Sequence, residues 1–481
     1  MHDREEWTKP SYQRRPVQFG PLRLTLPDLA KHNLVLGKTG TGKSKMLRLL
    51  MQSTLPLVAE GVGFKGIVYD AKADMLSTLS GMGIPPRCLK ILNPFDRRGL
   101  EWNLGADCPD VKTAQQIASI FVPPDKGQNR YFTDSARELV TGGLVAMTQC
   151  SPGDFTFRHF VLIAGSADDL PALLTGNQAT LEVGRALAFL KEPKTSPAIL
   201  TTIFSYINSF GSIAAAWSAA PGQISISQWV EEGNSILVLP RDHSCKEPLD
   251  AINRVLWARA TQLILSKPDV PDDAVRTFMY IDEARNLGQI DLHLILEEAR
   301  SRGCSVTLAF QDMDAFHDAQ GQNNGNAIVA MCTNFVTFKL LSNTTAEFAA
   351  DRFGKQEILD YTLREEGKQS PHVFERHAVA PEMLKNLPEP SPETGLRGWY
   401  DVANVGKFPG FIPGWKLARQ LLPPASDFPN HEPRDPKHEY LTPLTAEERK
   451  RFNLGPTPQR YGYRTGGGGQ PGRDRVPETS P

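Results

Sequence analysis

Short apolar runs recur along the chain, each closed by a turn or polar residue: Asn33 to Leu36, Gly66 to Tyr69, Leu89 to Leu92, Ser235 to Leu239, Thr277 to Ile281, Ser305 to Phe310 and Phe335 to Leu340. Runs of this length without alternation predict strands buried on both faces. Helix-like spacing of apolar residues lies between many of them, at Ser44 to Leu55, Leu249 to Leu265, Leu292 to Arg302 and Thr344 to Phe353. Strand alternating with helix predicts an α/β fold, a mainly parallel sheet flanked by helices.

Between Thr133 and Trp229 the strand pattern stops, and runs such as DSARELVTGGLVAMTQC and PAILTTIFSYINSF carry helical spacing. An all-helical domain inserted into the sheet domain is expected there. The division that follows is a 1–17 extension, nucleotide-binding parts at 18–132 and 230–422, the insert at 133–229 and a 423–481 tail. From Pro423 onward Pro, Gly and charge dominate, so the tail is expected not to pack. Thr195 to Val230 carries no charged residue. Two prolines and many hydroxyl and amide side chains favour a buried helix over a membrane span.

Composition narrows the picture. The formal net charge is −1, from 53 basic and 54 acidic residues, so any contact with nucleic acid must be local. The short basic clusters Arg97-Arg98 and Arg449 to Arg451 read as solvated surface. Six dispersed cysteines without a CxxC pair point to a reducing, cytosolic compartment. The opening MHDREEWTKPSYQRR has no apolar stretch of a signal peptide or anchor.

Two motifs carry chemistry. NLVLGKTGTGKS, Asn33 to Ser44, fits G-x-x-x-x-G-K-[ST] between a strand and a helix. Gly37, Lys38, Thr39, Gly40, Thr41 and Gly42 would wrap their amides around the phosphates of ATP. Lys43 would neutralise the β- and γ-phosphates and Ser44 would ligate Mg²⁺. TFMYIDEA, Thr277 to Ala284, ends an apolar strand in two acids. Asp282 is expected to hold Mg²⁺ and Glu283 to orient or deprotonate the attacking water.

Gln311 closes the strand after EEARSRG and is expected to sense the γ-phosphate or position water. Arg300 and Arg302 are candidates for an arginine supplied to a neighbouring subunit. The alternative is that both pair with Glu297 or Glu298 on their own helix. Asp70 and Lys72, in YDAKAD, are expected to be structural.

The order GKTGTGKS, DAKAD, NPFD with Trp102-Asn103, an inserted helical region, YIDEA, ARSRG with Gln311, NFVTF and VAPEMLKNLP resembles the conjugative coupling proteins of type IV secretion. These are DNA-translocating ATPases related to FtsK and RecA-like motors, and the resemblance spans about Gln18 to Trp415. It implies a RecA-like P-loop fold, ATP and Mg²⁺ as cofactors, and a homo-oligomer, a hexamer. It maps the hydrolysis site onto Asp282, Glu283, Gln311 and a trans-acting Arg300, and it gives the helical insert a cytoplasmic face that receives DNA–protein substrates.

Two departures stand out. The transmembrane helices of most members have no room before Gly37, which implies a soluble subtype recruited to the inner face of the membrane by a separate membrane subunit, or a truncated product. Alanines occupy 71 and 73 where the family has a DPKGE-like segment. The function implied is an ATP-driven motor delivering DNA with its bound relaxase to a type IV secretion channel. The alternatives are a soluble DNA pump in plasmid or chromosome handling and a nucleotide-gated receptor for protein substrates.

Overall fold

The computed structural model describes residues 6–456, apart from 126, 128, 288–291, 364–368 and 425. Nine strands form one sheet: β1 Asn33–Leu36, β2 Lys65–Asp70, β3 Leu89–Ile91, β4 Ser235–Pro240, β5 Thr277–Asp282, β6 Cys304–Phe310, β7 Asn334–Thr337, β8 Leu396–Val402 and β9 Gly406–Ile412. Their spatial order is β9-β8-β7-β1-β6-β5-β2-β4-β3. The seven from β7 to β3 run parallel, and β8 and β9 add an antiparallel edge. The sequence pattern predicts the seven parallel strands and misses the edge pair, whose alternating burial and interior glycines leave no continuous apolar run.

The parallel strands are buried on both sides. Leu34, Ile67, Met279, Ile281 and Leu308 face one core, and Val35, Val68, Phe278 and Tyr280 face the other. On the second side packs helix α1, Lys43–Thr54, through Met46 and Leu50. The first side is continuous with the helical domain, whose Leu139, Phe157, Ile203 and Trp217 belong to the same core.

Helices begin ahead of the expected Thr133. Helix α2, Val111–Phe121, packs on α3, Arg130–Cys150. A parallel pair, Glu101–Trp102 with Gln223–Ile224, draws the two connections of the insert together. The charge-free segment is one-sided rather than buried throughout. Helix α4, Ser196–Ile207, buries Ile199, Ile203 and Ile207 while Thr201 and Ser205 are exposed. Ser196–Trp217 is long and apolar enough to cross a membrane by length and composition, with 39% of its window buried in the fold. Helix α5, Lys246–Leu265, and α6, Asn343–Phe353, return the chain to the sheet.

The expectation of an unpacked tail from Pro423 fails for residues 426–456; residues 457–481 lie outside the described set. The segment crosses from the sheet domain to the helical domain and is held mainly by polar contacts. Ser77 N donates to Asn430 Oδ1 (2.7 Å), and Arg434 donates to the carbonyls of Pro94 (2.8 Å), Asp96 (2.8 Å) and Gly99 (3.2 Å). Arg449, read from sequence as solvated, is buried and grips Asp169 at 2.7 and 3.1 Å. Arg98 likewise pairs with buried Asp96 (2.6 Å), whereas Arg97 and Arg451 are exposed. Apolar anchors are few: Leu444, Phe452 and Leu454. Low apolar content therefore misleads, because guanidinium groups meeting carbonyls and carboxylates do the fastening.

Two outcomes follow. Arg449→Met leaves Asp169 buried without its counter-charge and is expected to cost about 3 kcal/mol in urea unfolding. Burial pushes the Glu448 carboxyl up, but donation from Thr445 N, Arg158 and His159 outweighs it and brings it down to about 2. A depressed carboxyl stabilises the fold above its unfolded value near 4.5 and loses that stabilisation as pH falls towards 2. Hydrogen exchange at 445–452 should therefore quicken over that window, and less so in Glu448→Gln.

Candidate active site

Strand register brings the candidate residues level. Leu36 pairs with Phe310, and Ala309 pairs with Asp282, on three adjacent strands. Gly37, Gln311 and Glu283 therefore leave the sheet side by side at its C-terminal edge, where open parallel sheets bind ligands. Gly37 to Gly42 form the turn into α1. Gly40 and Gly42 have φ of +85° and +119°, a region that side-chain-bearing residues rarely adopt. Lys38 N donates to Lys339 O (2.9 Å) and the Lys38 ammonium pairs with Glu389 (2.8 Å), so its side chain is turned to the loop that follows Pro388. Among the described residues no side chain caps α1, leaving its first N–H groups for an anion.

Lys43 is buried and forms a close ion pair with Glu283, with Asp282 Oδ1 at 3.6 Å. Gln311 Nε2 donates to Glu283 Oε1 (2.6 Å), and Thr39 Oγ1 donates to Gln311 Oε1 (2.9 Å). Glu283 sits at φ +59°, a left-handed conformation costing on the order of 1–3 kcal/mol for such a residue. That turn directs the carboxylate back over the loop. Among the described residues, Asp282 Oδ1 and Glu283 Oε2 are buried without a hydrogen-bond partner, which is a donor set built for a charged ligand.

Lys72, expected from the sequence to be structural, lies within the candidate site. Its ammonium donates to both Ser44 Oγ (3.1 Å) and Asp282 Oδ2 (3.1 Å), bridging the two expected metal ligands. The register explains it: Tyr69 pairs with Ile281, so the chain leaving β2 passes Asp282. Only the adjacency of β2 and β5 reveals this. Asp70 is structural, as expected: its carboxylate accepts from Asp74 N (3.1 Å) and Met75 N (3.0 Å), while burial pushes it up to about 6.

Arg300 does not join this constellation within its own chain. It precedes β6, at the opposite edge of the sheet, and binds Asp273 at 2.7 and 3.0 Å. Arg302 binds Asp269 (2.5 Å). Neither pairs with Glu297 or Glu298 on the helix, as the alternative expected; both reach to the loop before β5.

Ala73, where the family's segment carries glycine, has φ +54°. Ala73→Gly is expected to raise unfolding stability by about 1 kcal/mol by relieving that strain, read as a shift in urea midpoint at constant slope.

Residues 17–371 match the family model of the type IV secretion-system coupling protein DNA-binding domain. The coupling protein TraD of Escherichia coli (strain K12) is 21% identical over 350 residues, 71% of this chain and 46% of that protein. The chain thus spans about half the length of the curated relative it matches. Among solved structures, the unbound monoclinic form of the bacterial conjugative coupling protein TrwBdeltaN70 superposes with a TM-score of 0.68 at 20% identity, covering 88% of this chain and 92% of that one. The plasmid coupling protein TrwB in complex with the non-hydrolysable ATP analogue ADPNP gives 0.67 at 20% identity, covering 87% and 92%. These likenesses establish a shared RecA-like P-loop fold. With well over half of its length matched by the family model, the chain belongs to the type IV secretion-system coupling protein DNA-binding domain family.

Proposed function

We propose that this chain is an ATP-hydrolysing motor that delivers DNA, with its bound relaxase, to a type IV secretion channel. The observation that carries the reading is the meeting of Lys43, Asp282, Glu283 and Gln311 at the mouth of a glycine-rich turn. Family membership supplies the setting, and TrwB has been solved with ADPNP and with ADP and Mg²⁺. The assembly is a homo-oligomer, a hexamer, working on the cytoplasmic side of the membrane.

The residues fit a magnesium ion. Ser44 Oγ and Asp282 Oδ2 already share one cation, the Lys72 ammonium, and Asp282 Oδ1 has no hydrogen-bond partner. When bound with the nucleotide, Mg²⁺ would supply positive charge to offset that of the phosphates. Ser44 and Asp282 would hold it, and Lys72 would give way. Triphosphate draws Lys43 away from Glu283, because the phosphates offer more negative charge than one carboxylate. Glu283, released, accepts a proton from the attacking water, while Gln311 keeps the carboxylate and the water in line.

Arg300, exposed at the far edge of the sheet, reaches a hydrolysis site only when it belongs to the next subunit. Its hold on Asp273 keeps it extended until the subunits meet.

Glu283→Gln is expected to retain nucleotide affinity while slowing DNA-stimulated ATP turnover by about 10²- to 10⁴-fold at low salt. Retained turnover in that variant, or retained nucleotide binding in Lys43→Ala, would overturn the reading. Mixing inactive Lys43→Ala subunits with inactive Arg300→Ala subunits should restore part of the activity, since some interfaces then combine an intact lysine with an intact arginine. Lys72→Met should tighten Mg²⁺–nucleotide binding by about fivefold by removing a competing cation, without changing affinity in EDTA.

A further inference from the structure

Beside the hydrolysis site, between the helical domain and the exit ends of β4 and β5, lies a cleft of about 540 Å³. Four cations line it: Arg241 directly after β4, Lys246 at the start of α5 with Arg254 about two turns further on, and Arg285 two residues past Glu283. Only Glu247 and Asp250 oppose them there. Among the described residues Arg241, Lys246 and Arg254 close no salt bridge within 4.0 Å, although all three face Asp250. Among the described residues Arg241 Nε has no hydrogen-bond partner, while Asp250 is held from behind by Tyr69. On a chain of net charge −1, this is a concentrated positive pocket with a guanidinium N–H left for an anionic ligand.

The remaining walls narrow the ligand class. Tyr206 is half-buried at the rim, and Ser205 and Ser209 on the same side present hydroxyls. Cations that follow a backbone, with an aromatic ring for a base, suit a single strand of nucleic acid; the volume excludes a duplex. Arg285 links the cleft to the chemistry. Its Nε lies 3.7 Å from Glu283 Oε2, the carboxylate oxygen that makes no hydrogen bond.

We propose that the cleft holds the phosphodiester backbone of a single nucleic-acid strand, and that Arg285 couples its arrival to hydrolysis by leaving Glu283 for a phosphate. The coupling half rests on the motor function proposed above; the binding half does not. With triphosphate bound and Lys43 withdrawn, Arg285 is the cation that still holds Glu283 and weakens it as a base. A strand phosphate exchanges that ion pair for its own and frees the carboxylate. Arg285 is thus a positioning residue, and hydrolysis rises when a strand is present.

The test uses the full chain, a fluorescent 20-nucleotide oligothymidylate, and anisotropy over a range of salt. Lys246 is exposed and can be changed without disturbing the core. Lys246→Glu and Arg254→Gln should each weaken strand binding about tenfold and lower the log–log salt slope by about one at wild-type nucleotide affinity; Lys246→Glu keeps wild-type melting, whereas Arg254→Gln, which leaves the buried Asp250 with less counter-charge, melts lower. Arg285→Ala should bind the strand within a few-fold of wild type, yet show raised basal kcat and no further stimulation by the strand, with KM for ATP unchanged. Wild-type strand binding in both Lys246→Glu and Arg254→Gln would remove the cleft as the site. So would equal competition by inorganic phosphate or a mononucleotide at matched phosphate concentration, or tighter binding of a duplex of the same length. Unchanged basal rate and stimulation in Arg285→Ala would remove the coupling. Absence of hydrolysis in every protein, with strand binding still following the cleft, would sink the motor reading and leave the binding site standing.

Discussion

One buried ammonium organises the molecule. Lys43 lies against Glu283 and near Asp282 with almost no access to solvent, and charges in such a place persist only when paired. Holding that cluster requires strands from distant parts of the chain to end level. The register of β1, β6 and β5 does this, and both faces of those strands are sealed by apolar packing that fixes it. The same ammonium is the group that an incoming phosphate must attract, so the interaction that steadies the empty site is also the one that ligand binding must undo.

Strain collects around this cluster. Glu283 holds a left-handed backbone conformation, and Ala73 does the same on the neighbouring strand exit. Such conformations survive where surrounding contacts over-determine them. Here Lys43 and Gln311 hold the Glu283 side chain, while the Asp70 carboxylate holds the backbone just beyond Ala73. The departure from glycine at 73 therefore changes the cost of the turn rather than its path, and it leaves Lys72 aimed at Ser44 and Asp282.

The helical domain is joined to the sheet domain in three ways. The core on one face of the sheet runs into it without a break, the short parallel pair at Trp102 and Ile224 ties its two connections, and the 426–456 segment reaches across from outside. A cleft at such a junction is where two units can exchange force, and one of its cations, Arg285, lies 3.7 Å from the Glu283 carboxylate.

The seven parallel strands, the turn from Gly37 to Ser44, the acidic pair and the terminal glutamine were legible in the sequence, because continuous apolar runs and a fixed motif are local signals that tertiary context does not alter. The same patterning showed a helical insert. What local pattern could not carry was adjacency. That β2 lies beside β5, which puts Lys72 on Ser44 and Asp282, and that Arg300 stands at the opposite edge bound to Asp273, depend on strand order, which no single run encodes. The tail misread the same way, since Arg434 and Arg449 find their carbonyls and carboxylate only in the folded chain. Short-range periodicity decides which segments are strand or helix, whereas the partner of each charge is set by packing between segments hundreds of residues apart.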